Sequence, residues 1–97
     1  MTSLRFEWDP RKAAANLAKH GVSFAEAVTA FGDEGGWLLD DPDHSAGEDR
    51  FVLLGLSTKF RILVVVHCYR ESDSVIRIIS ARKADRHERE TYMTRNT

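Results

Sequence analysis

The sequence predicts a single α+β domain in which helices pack on one face of a mostly antiparallel sheet. The chain has 97 residues, which suits one domain with one modest core. Two helix patterns near the N-terminus are followed by four segments of β character, and the last three of these are joined by loops short enough for antiparallel hairpins. A final helix-permissive segment completes the order β-α-α-β-β-β-β-α over residues 1–97.

The first elements are marked by their boundaries. Residues 4–8 alternate apolar and charged side chains, which predicts a short half-buried strand. Asp9-Pro10 then predicts the start of a helix, and Gly21 predicts its end, because glycine suits a left-handed C-terminal cap. The stretch Ser23 to Glu26 matches a capping box, which predicts the start of a second helix.

The later elements are separated by breaker residues. Gly35-Gly36 interrupts the chain before a short strand, Trp37 to Asp40, and residues 41–49 are predicted to form a loop because they include Pro42 and Gly47. Three longer β segments and a helix-permissive segment follow: Arg50–Ser57, Arg61–Tyr69, Ser74–Lys83 and Ala84–Arg95.

Alternation sorts the side chains of the last two strands into faces. One set in the strand 61–69 is wholly apolar and is expected to pack on the helices: Ile62, Val64, Val66 and Cys68. If the following turn is Glu71-Ser72-Asp73, then His67 lies opposite Arg77, and Arg61 lies opposite Lys83. The prediction is an open sheet face with a line of cations, a histidine and a phenol, Tyr69. A register shifted by one residue would move Arg77 to the helix side.

Such a face suits chemistry on a phosphodiester. Arginine binds phosphate bidentately, and histidine exchanges protons near neutral pH. Metal-free RNA cleavage needs little more than a base for the 2′-hydroxyl, an acid for the leaving oxygen and a cationic clamp. We expect no metal or cofactor, since no Cys/His spacing suggests zinc. Mixed sheet faces with Arg and His are common, so an ordinary structural surface stays open as an interpretation.

Composition restricts the classes of partner. The net charge is −1 and the pI is about 6.4, which argues against a generic nucleic-acid binder. Charge is unevenly distributed: seven acidic residues and no Lys or Arg lie between Asp33 and Asp49, whereas six basic and three acidic residues lie between Arg77 and Thr97. No apolar run approaches the length of a membrane span, and no signal-peptide pattern is present, so a cytoplasmic protein is expected.

Two ordered blocks carry a resemblance to a known family. In Trp8–Phe31 the matching positions are Trp8-Asp9, Asn16-Leu17, Lys19 to Phe24 and Glu26-Ala27; in Arg77–Tyr92 they are Ile79 to Arg82, Glu88-Arg89 and Tyr92. Together the blocks resemble the BrnT toxins of bacterial toxin–antitoxin pairs. The resemblance implies a RelE-like ribonuclease fold and an RNA-cleaving activity that stops translation. It also implies a BrnA-like antitoxin with a ribbon-helix-helix DNA-binding domain, through which the complex represses its own operon.

The resemblance and the strand argument together nominate the site residues. Arg77 and Arg82 are expected to clamp the scissile phosphate, with proton transfer by one of three groups: His67, Glu88 or Tyr92. Four further residues are expected to contact the substrate: Arg61, Lys83, Lys19 and His20. A regular strand places Arg77 and Arg82 on opposite faces, so a bulge near Ser80-Ala81 is needed to bring both into one cleft.

The leading hypothesis is a metal-independent endoribonuclease toxin that a tightly bound antitoxin neutralises. A hetero-oligomer is expected, with a toxin dimer left open, and the acidic segment Asp40 to Asp49 suits contact with basic antitoxin segments. Operator DNA would be contacted only through the antitoxin. One alternative is a non-catalytic interaction protein, the partner subunit of a DNA-binding repressor. A second alternative is a direct nucleic-acid-binding module, against which the low pI counts.

Overall fold

The computed structural model describes residues 4–41, 49–72 and 74–97, so most of the predicted loop 41–49 lies outside the described residues. The elements follow in the order β1 (Arg5–Glu7), α1 (Pro10–His20), α2 (Phe24–Ala30), β2 (Trp37–Asp40), β3 (Phe51–Leu56), β4 (Ile62–Arg70), β5 (Val75–Lys83) and α3 (Arg86–Arg95). The five strands form one sheet with the order β1-β5-β4-β3-β2. Only the β1–β5 pair is parallel within this part of the chain, which confirms the α+β class. None of its helices is both long enough and apolar enough to cross a membrane.

The predicted helix boundaries are confirmed. The Asp9 side chain accepts a hydrogen bond from the Arg11 amide at 2.8 Å, and Pro10 is the first residue of α1. Gly21 ends the helix with φ +69°, a left-handed conformation that glycine adopts without a Cβ clash. Ser23 caps α2 by accepting from the amide of Glu26 at 3.0 Å. The carboxylate of Glu26 does not complete the capping box, because it binds Arg61 instead.

Beyond the end of β1, the Asn16 side chain makes hydrogen bonds to the backbone of β5 in place of a neighbouring strand. The strand β1 pairs with β5 only as far as Arg77, so the later part of β5 has no strand beside it on that side within the described residues. The Asn16 Nδ2 group donates to the carbonyl of Ala81 at 2.7 Å, and the Ala81 amide donates to Asn16 Oδ1 at 3.1 Å. Nδ2 also donates to the carbonyl of Val22 at 2.9 Å. This buried side chain therefore joins α1 to β5 and to the link before α2.

The sheet is covered by helices on both faces. The two N-terminal helices lie on one face, and the main core lies between them and the strands: Val22, Phe24, Ala27, Ala30, Leu53, Leu63, Val65, Ile76, Ile78 and Ala81. The last helix, α3, packs on the opposite face over a smaller cluster: Leu54, Val64, Ala84 and Tyr92. The central strand β4 is therefore buried on both of its faces.

The side chain of Tyr92 helps to anchor α3. The Tyr92 hydroxyl donates to Asp33 Oδ2 at 2.6 Å, and the same carboxylate accepts from the amides of Leu56 at 2.8 Å and Gly35 at 2.9 Å. Burial, with the bonded carboxylate as the second cause, raises the pKa of Tyr92 to about 12. The phenol therefore stays protonated and holds α3 against the end of β3.

The predicted pairing of β4 with β5 is wrong. Arg70 pairs with Val75, so the connecting loop is one residue longer than expected, and Cys68 rather than His67 lies opposite Arg77. Further along, Leu63 rather than Arg61 lies opposite Lys83. The register also shifts within the strands, because His67 pairs with Ile78 whereas Val66 pairs with Ser80. Ile79 is the extra residue of a β-bulge.

The predicted assignment of the β4 faces is also wrong. Leu63 and Val65 belong to the core beneath α1 and α2, and His67 continues the same face. The apolar set that was expected there, including Val64 and Val66, faces the α3 side. Polarity could not separate the two faces, because a central strand covered on both sides is apolar on both.

Candidate active site

A cleft of about 390 Å³ opens on the α3 face of the sheet. Its floor is apolar, formed by Val52, Val64 and Val66 on adjacent strands, with Leu39 of β2 at one side. Its polar lining among the described residues consists of Asp40, Asp41, Arg50, Ser80, Arg82 and Glu88. The cleft is a concave site in which a few charged groups converge above an apolar base, the usual form of a small binding site.

The β-bulge in β5 determines which face of the sheet Arg77 and Arg82 project from. Arg77 pairs with Cys68, and Arg82 pairs with Val64, two β4 residues whose side chains project from the same face. The bulge at Ile79 therefore puts both arginines on one face, as the sequence argument required. They do not meet in the cleft, because Arg77 forms an ion pair with Glu7 of β1, at 2.8 Å from Nη1 to Oε2.

Arg82 and Glu88 form the charged centre of the cleft. Two parallel bonds join them, Nη1 to Oε1 at 2.8 Å and Nη2 to Oε2 at 2.9 Å, which is the bidentate geometry that favours arginine over lysine. The hydrogen bonds from Arg82 lower the pKa of Glu88 and outweigh the effect of partial burial, so the carboxylate is ionised at neutral pH. Glu88 Oε1 also accepts from the amide of Asp85 at 2.8 Å and completes the capping box of α3.

Arg50 supplies a second cation that the sequence argument missed. It precedes β3, and its carbonyl accepts from the amide of Asp41 at 3.0 Å. Its Nε atom is buried and has no hydrogen-bond partner within the described part of the chain. An unsatisfied buried donor costs free energy unless a ligand supplies the acceptor. Strand alternation gave no signal for Arg50, because its place in the cleft depends on β2 and α3, which come from distant sequence.

His67 is not a cleft residue. Its side chain is 0% exposed in the core under α2, and its ring lies 4.8 Å from that of Phe31 and 5.3 Å from that of Tyr69. Nδ1 lies 3.1 Å from the carbonyl of Val65. Burial lowers the pKa of His67, so the ring is neutral at pH 7. The predicted position opposite Arg77 on an open face is wrong, and His67 has no route to a substrate in the cleft.

The other nominated residues also lie outside the cleft. The Tyr92 hydroxyl points to Asp33, so Tyr92 and Glu88 do not act on one spot as predicted. Arg61 faces the opposite side of the sheet, where it binds Glu26 by Nε at 2.9 Å and by Nη2, and the Gly21 carbonyl at 3.1 Å. The remaining three are at the end of α1 or on the α1 side of β5: Lys19, His20 and Lys83. The predicted line of cations across one face is therefore not formed.

Arg61 pairs with a buried carboxylate, that of Glu26. The Glu26 side chain is 1% exposed, and it accepts bonds from Arg61 and from the Ser57 hydroxyl at 2.7 Å. Hydrogen bonds from Arg61 are the largest cause of a lowered pKa for Glu26. A buried carboxylate needs this pairing, so the group is structural and joins α2 to the β3–β4 hairpin.

No cluster of three or more His, Cys, Asp or Glu side chains in residues 4–41, 49–72 and 74–97 is arranged to hold a metal ion. The described residues that line the cleft carry guanidinium, carboxylate and hydroxyl groups. A phosphate would meet two arginines there, with a carboxylate within reach of the same point.

Comparison with known proteins identifies the family. A family model for the ribonuclease toxin BrnT of type II toxin–antitoxin systems matches residues 8–88. The chain belongs to the BrnT family. Its fold is also similar to the crystal structure of the Brucella abortus ribonuclease toxin BrnT, with a TM-score of 0.65 and 21% sequence identity over 87% of this chain and 100% of that one. No curated protein matches the sequence. The resemblance seen in the two sequence blocks is thus confirmed, and the Arg82–Glu88 pair lies within the BrnT match.

Proposed function

We propose that this chain is a metal-independent endoribonuclease toxin that acts at the Arg82–Glu88 cleft and inhibits translation. We also propose that it is cytoplasmic and that a BrnA-like antitoxin with a ribbon-helix-helix domain neutralises it in a hetero-oligomer. Membership of the BrnT family supports the toxin class. The observation that carries the site is the bidentate Arg82–Glu88 pair beside Arg50, whose Nε has no acceptor among the described residues.

The cleft can supply a clamp and a base. In the proposed step the substrate's 2′-oxygen attacks the adjacent phosphorus and the bond from phosphorus to the 5′-oxygen breaks. The products are a 2′,3′-cyclic phosphate and a 5′-hydroxyl end. Arg50 and Arg82 hold the non-bridging oxygens, where negative charge builds up in the transition state. Glu88 accepts the proton of the 2′-hydroxyl, and water at the cleft mouth returns one to the leaving oxygen.

In the proposed binding mode the substrate phosphate competes with Glu88 for Arg82. Two of the five N–H donors of Arg82 are bonded to Glu88 and one to the Lys83 carbonyl, and the phosphate replaces one of the two bonds to Glu88. The exchange is accessible because both side chains are partly exposed. It also frees a Glu88 oxygen beside the bound phosphate, which is the position a base for the neighbouring 2′-hydroxyl requires.

The test compares cleavage by the wild type with that of Arg82→Gln and Glu88→Gln. Arg5→Gln is a matched control, because Arg5 and Glu71 form an exposed Arg–Glu pair at 2.6 Å outside the cleft. Each protein is induced in a host without an antitoxin, and purified protein is incubated with RNA in excess EDTA. We expect growth arrest and cleavage with 5′-hydroxyl ends for wild type and control, and a rate at least about 100-fold lower for both cleft variants.

Three results would refute this function, its chemistry or its site. Well-folded wild-type protein that neither arrests growth nor cleaves RNA would refute the nuclease. Cleavage that is restored only by a divalent metal would refute the metal-free chemistry, and unchanged cleavage by both cleft variants would place the reaction elsewhere.

A non-catalytic interaction protein is the second candidate. The observation that favours it is the charge of the cleft lining, where three carboxylates, Asp40, Asp41 and Glu88, outnumber two arginines within the described residues. Such a lining suits a basic segment of a protein partner. In that case the cleft variants would weaken antitoxin binding, and the wild type would have no RNA cleavage to lose.

A further inference from the structure

A second groove lies beside the cleft on the same face of the sheet. It has a volume of about 460 Å³ and is lined by Trp37 of β2 and by one side of α3: His87, Glu90, Thr91, Thr94 and Arg95. We call it the Trp37 groove. None of these residues takes part in the proposed cleavage step.

Trp37 presents an aromatic surface in this groove. One part of its side chain packs against the small core cluster under α3, which fixes the position of the ring. The Arg95 guanidinium lies over the ring at 4.7 Å from its centroid. Arg95 is exposed at the end of α3, so it can leave the ring at little cost. Its place over the ring is one that a planar nucleobase can take, because bases stack on tryptophan and arginine can move to a phosphate.

The groove continues the cleft along the same two elements. Trp37 in the groove and Leu39 in the cleft are two residues apart on β2 and project from the same face, because they pair with Leu54 and Val52. On α3, Glu88 lines the cleft whereas His87 and Thr91 line the groove. The cleft and the Trp37 groove are therefore lined by the same two elements, β2 and α3.

The charges in the groove are compatible with a nucleic acid. Among the described residues of its lining the one carboxylate is that of Glu90, which forms an ion pair with Arg86 at 3.2 Å, so its charge is partly compensated. Among the described residues that line the groove, Arg95 is the cation. An aromatic platform with one mobile arginine is the arrangement by which proteins bind single strands without base-specific hydrogen bonds.

We propose that the Trp37 groove is a stacking subsite for a base of single-stranded RNA next to the scissile phosphate. This rests on the proposed function for the location of the phosphate. The subsite holds the strand by its base, and Arg95 moves from the ring to a backbone phosphate when RNA binds. It contributes to affinity and to the choice of unpaired RNA, and it takes no part in bond cleavage.

Binding of a short 2′-O-methylated oligoadenylate tests the subsite, because this RNA has no free 2′-hydroxyl and stays intact. In a Trp8→Phe background Trp37 is the sole tryptophan, so stacking should quench the remaining fluorescence. We expect Trp37→Leu to weaken binding about tenfold, and Trp37→Phe to weaken it less because a ring remains. Arg95→Gln should reduce the slope of log affinity against log salt by about one. Leu38→Ala is the control, since Leu38 is half exposed on the same strand and does not line the groove.

The outcomes of the binding and cleavage assays distinguish a failure of the proposed subsite from a failure of the proposed nuclease activity. If Arg82→Gln abolishes cleavage while both Trp37 variants, folded by circular dichroism, bind the oligonucleotide like the wild type, the subsite is refuted and the nuclease stands. If the chain cleaves no RNA but binds the oligonucleotide through Trp37, the subsite stands and the nuclease is refuted. If the Trp37 variants keep RNA binding and lose only antitoxin binding, the groove is a protein interface and the proposal is overturned.

Discussion

Replacing Asn16 by alanine is the sharpest test of the fold. Asn16 is 8% exposed, and its side chain makes three hydrogen bonds to backbone groups. Two of these groups belong to Ala81, in the part of β5 that β1 does not reach, and the third is the carbonyl of Val22 in the link between α1 and α2. Asn16→Ala removes all three at once and leaves the Ala81 amide, the Ala81 carbonyl and the Val22 carbonyl without their partner.

The expected loss can be worked from these three groups. A buried backbone group left unsatisfied costs about 1–3 kcal/mol, so even the lower value gives a loss of about 3 kcal/mol in the free energy of unfolding. For a domain of this size that corresponds to a fall of roughly 12 °C or more in Tm. Urea denaturation measures the free energy directly, and an unchanged m-value would show that the comparison is valid.

A second substitution, Asn16→Asp, is expected to make the stability of the protein depend on pH. One carboxylate oxygen could still accept from the Ala81 amide, but the other would face the carbonyls of Ala81 and Val22, which now lie 2.7 and 2.9 Å from Nδ2. Burial beside two carbonyls raises the pKa of such a group above its unfolded value. Stability then increases as pH falls from the raised folded value toward the unfolded value of about 3.9. Asn16→Asp should therefore be more stable at pH 5 than at pH 7, whereas Asn16→Ala should not.

Leu17→Ala is the matched control for Asn16. Leu17 is the next residue of the same helix and the same family block, but its side chain is half exposed. We expect its replacement to change stability by about 0.5 kcal/mol or less. The reasoning would be refuted if Asn16→Ala lost under about 1 kcal/mol, or if Asn16→Asp behaved identically at both pH values.

Three further substitutions test other contacts by urea denaturation. Arg61→Met should cost about 3 kcal/mol at pH 7 by leaving the buried Glu26 unpaired. The folded pKa of Glu26 is lowered from 4.5 in the wild type, so the pair's contribution is present above 4.5 and is lost as pH falls through the lowered value. Tyr92→Phe should cost about 2 kcal/mol, because its hydroxyl donates to the charged Asp33. Phe60→Gly should stabilise by about 0.5 kcal/mol, since Phe60 has φ +62° and is 85% exposed.

Each of these has its own check. Arg5→Met removes an exposed arginine from a surface pair and should cost under about 1 kcal/mol, so an equal loss for Arg61→Met would contradict the buried-pair argument. A fully stable Tyr92→Phe protein would show that the Tyr92 hydroxyl is not needed to hold α3 in place. A destabilised Phe60→Gly protein would show that the ring makes contacts that outweigh its backbone strain.

Local signals predicted the helices well. Asp9-Pro10 and Gly21 mark the two ends of α1 by the chemistry of free amides and of left-handed φ, and both effects act within a few residues. Ser23 marked α2 in the same way. The strand β2 was also predicted at its observed bounds, because Gly35-Gly36 ends the preceding segment.

The strand faces could not be predicted, because they depend on distant chain segments. The loop after Arg70 contains two residues in the left-handed region, Glu71 and Ser72, which no glycine or asparagine pattern announces. The bulge at Ile79 then shifts the register again. Each change moves the pairing by one residue. The longer loop alone separates His67 from Arg77, whereas the bulge shifts only the pairs beyond it, from Val66 to Leu63.

The cleft was predicted in part. Arg82 and Glu88 were nominated, and the structure brings them together because α3 follows β5 after a short turn. Arg50 and Ser80 were missed, since their proximity depends on the sheet order and on the bulge. The sequence predicted His67 on the open face because histidine is a polar residue. In the structure its neutral ring packs among aromatic side chains in the core.

The double use of Glu88 ties occupancy of the cleft to the order of α3. Its Oε1 accepts at 2.8 Å both from Arg82 and from the Asp85 amide at the helix cap. When an anion in the cleft binds Arg82, Glu88 loses that partner and keeps only its bond to the Asp85 amide at the helix cap. Anion binding and the stability of the first turn of α3 are therefore thermodynamically linked, and each must alter the other. Amide hydrogen exchange in the first turn of α3 would therefore report an anion in the cleft even when no bond is cleaved.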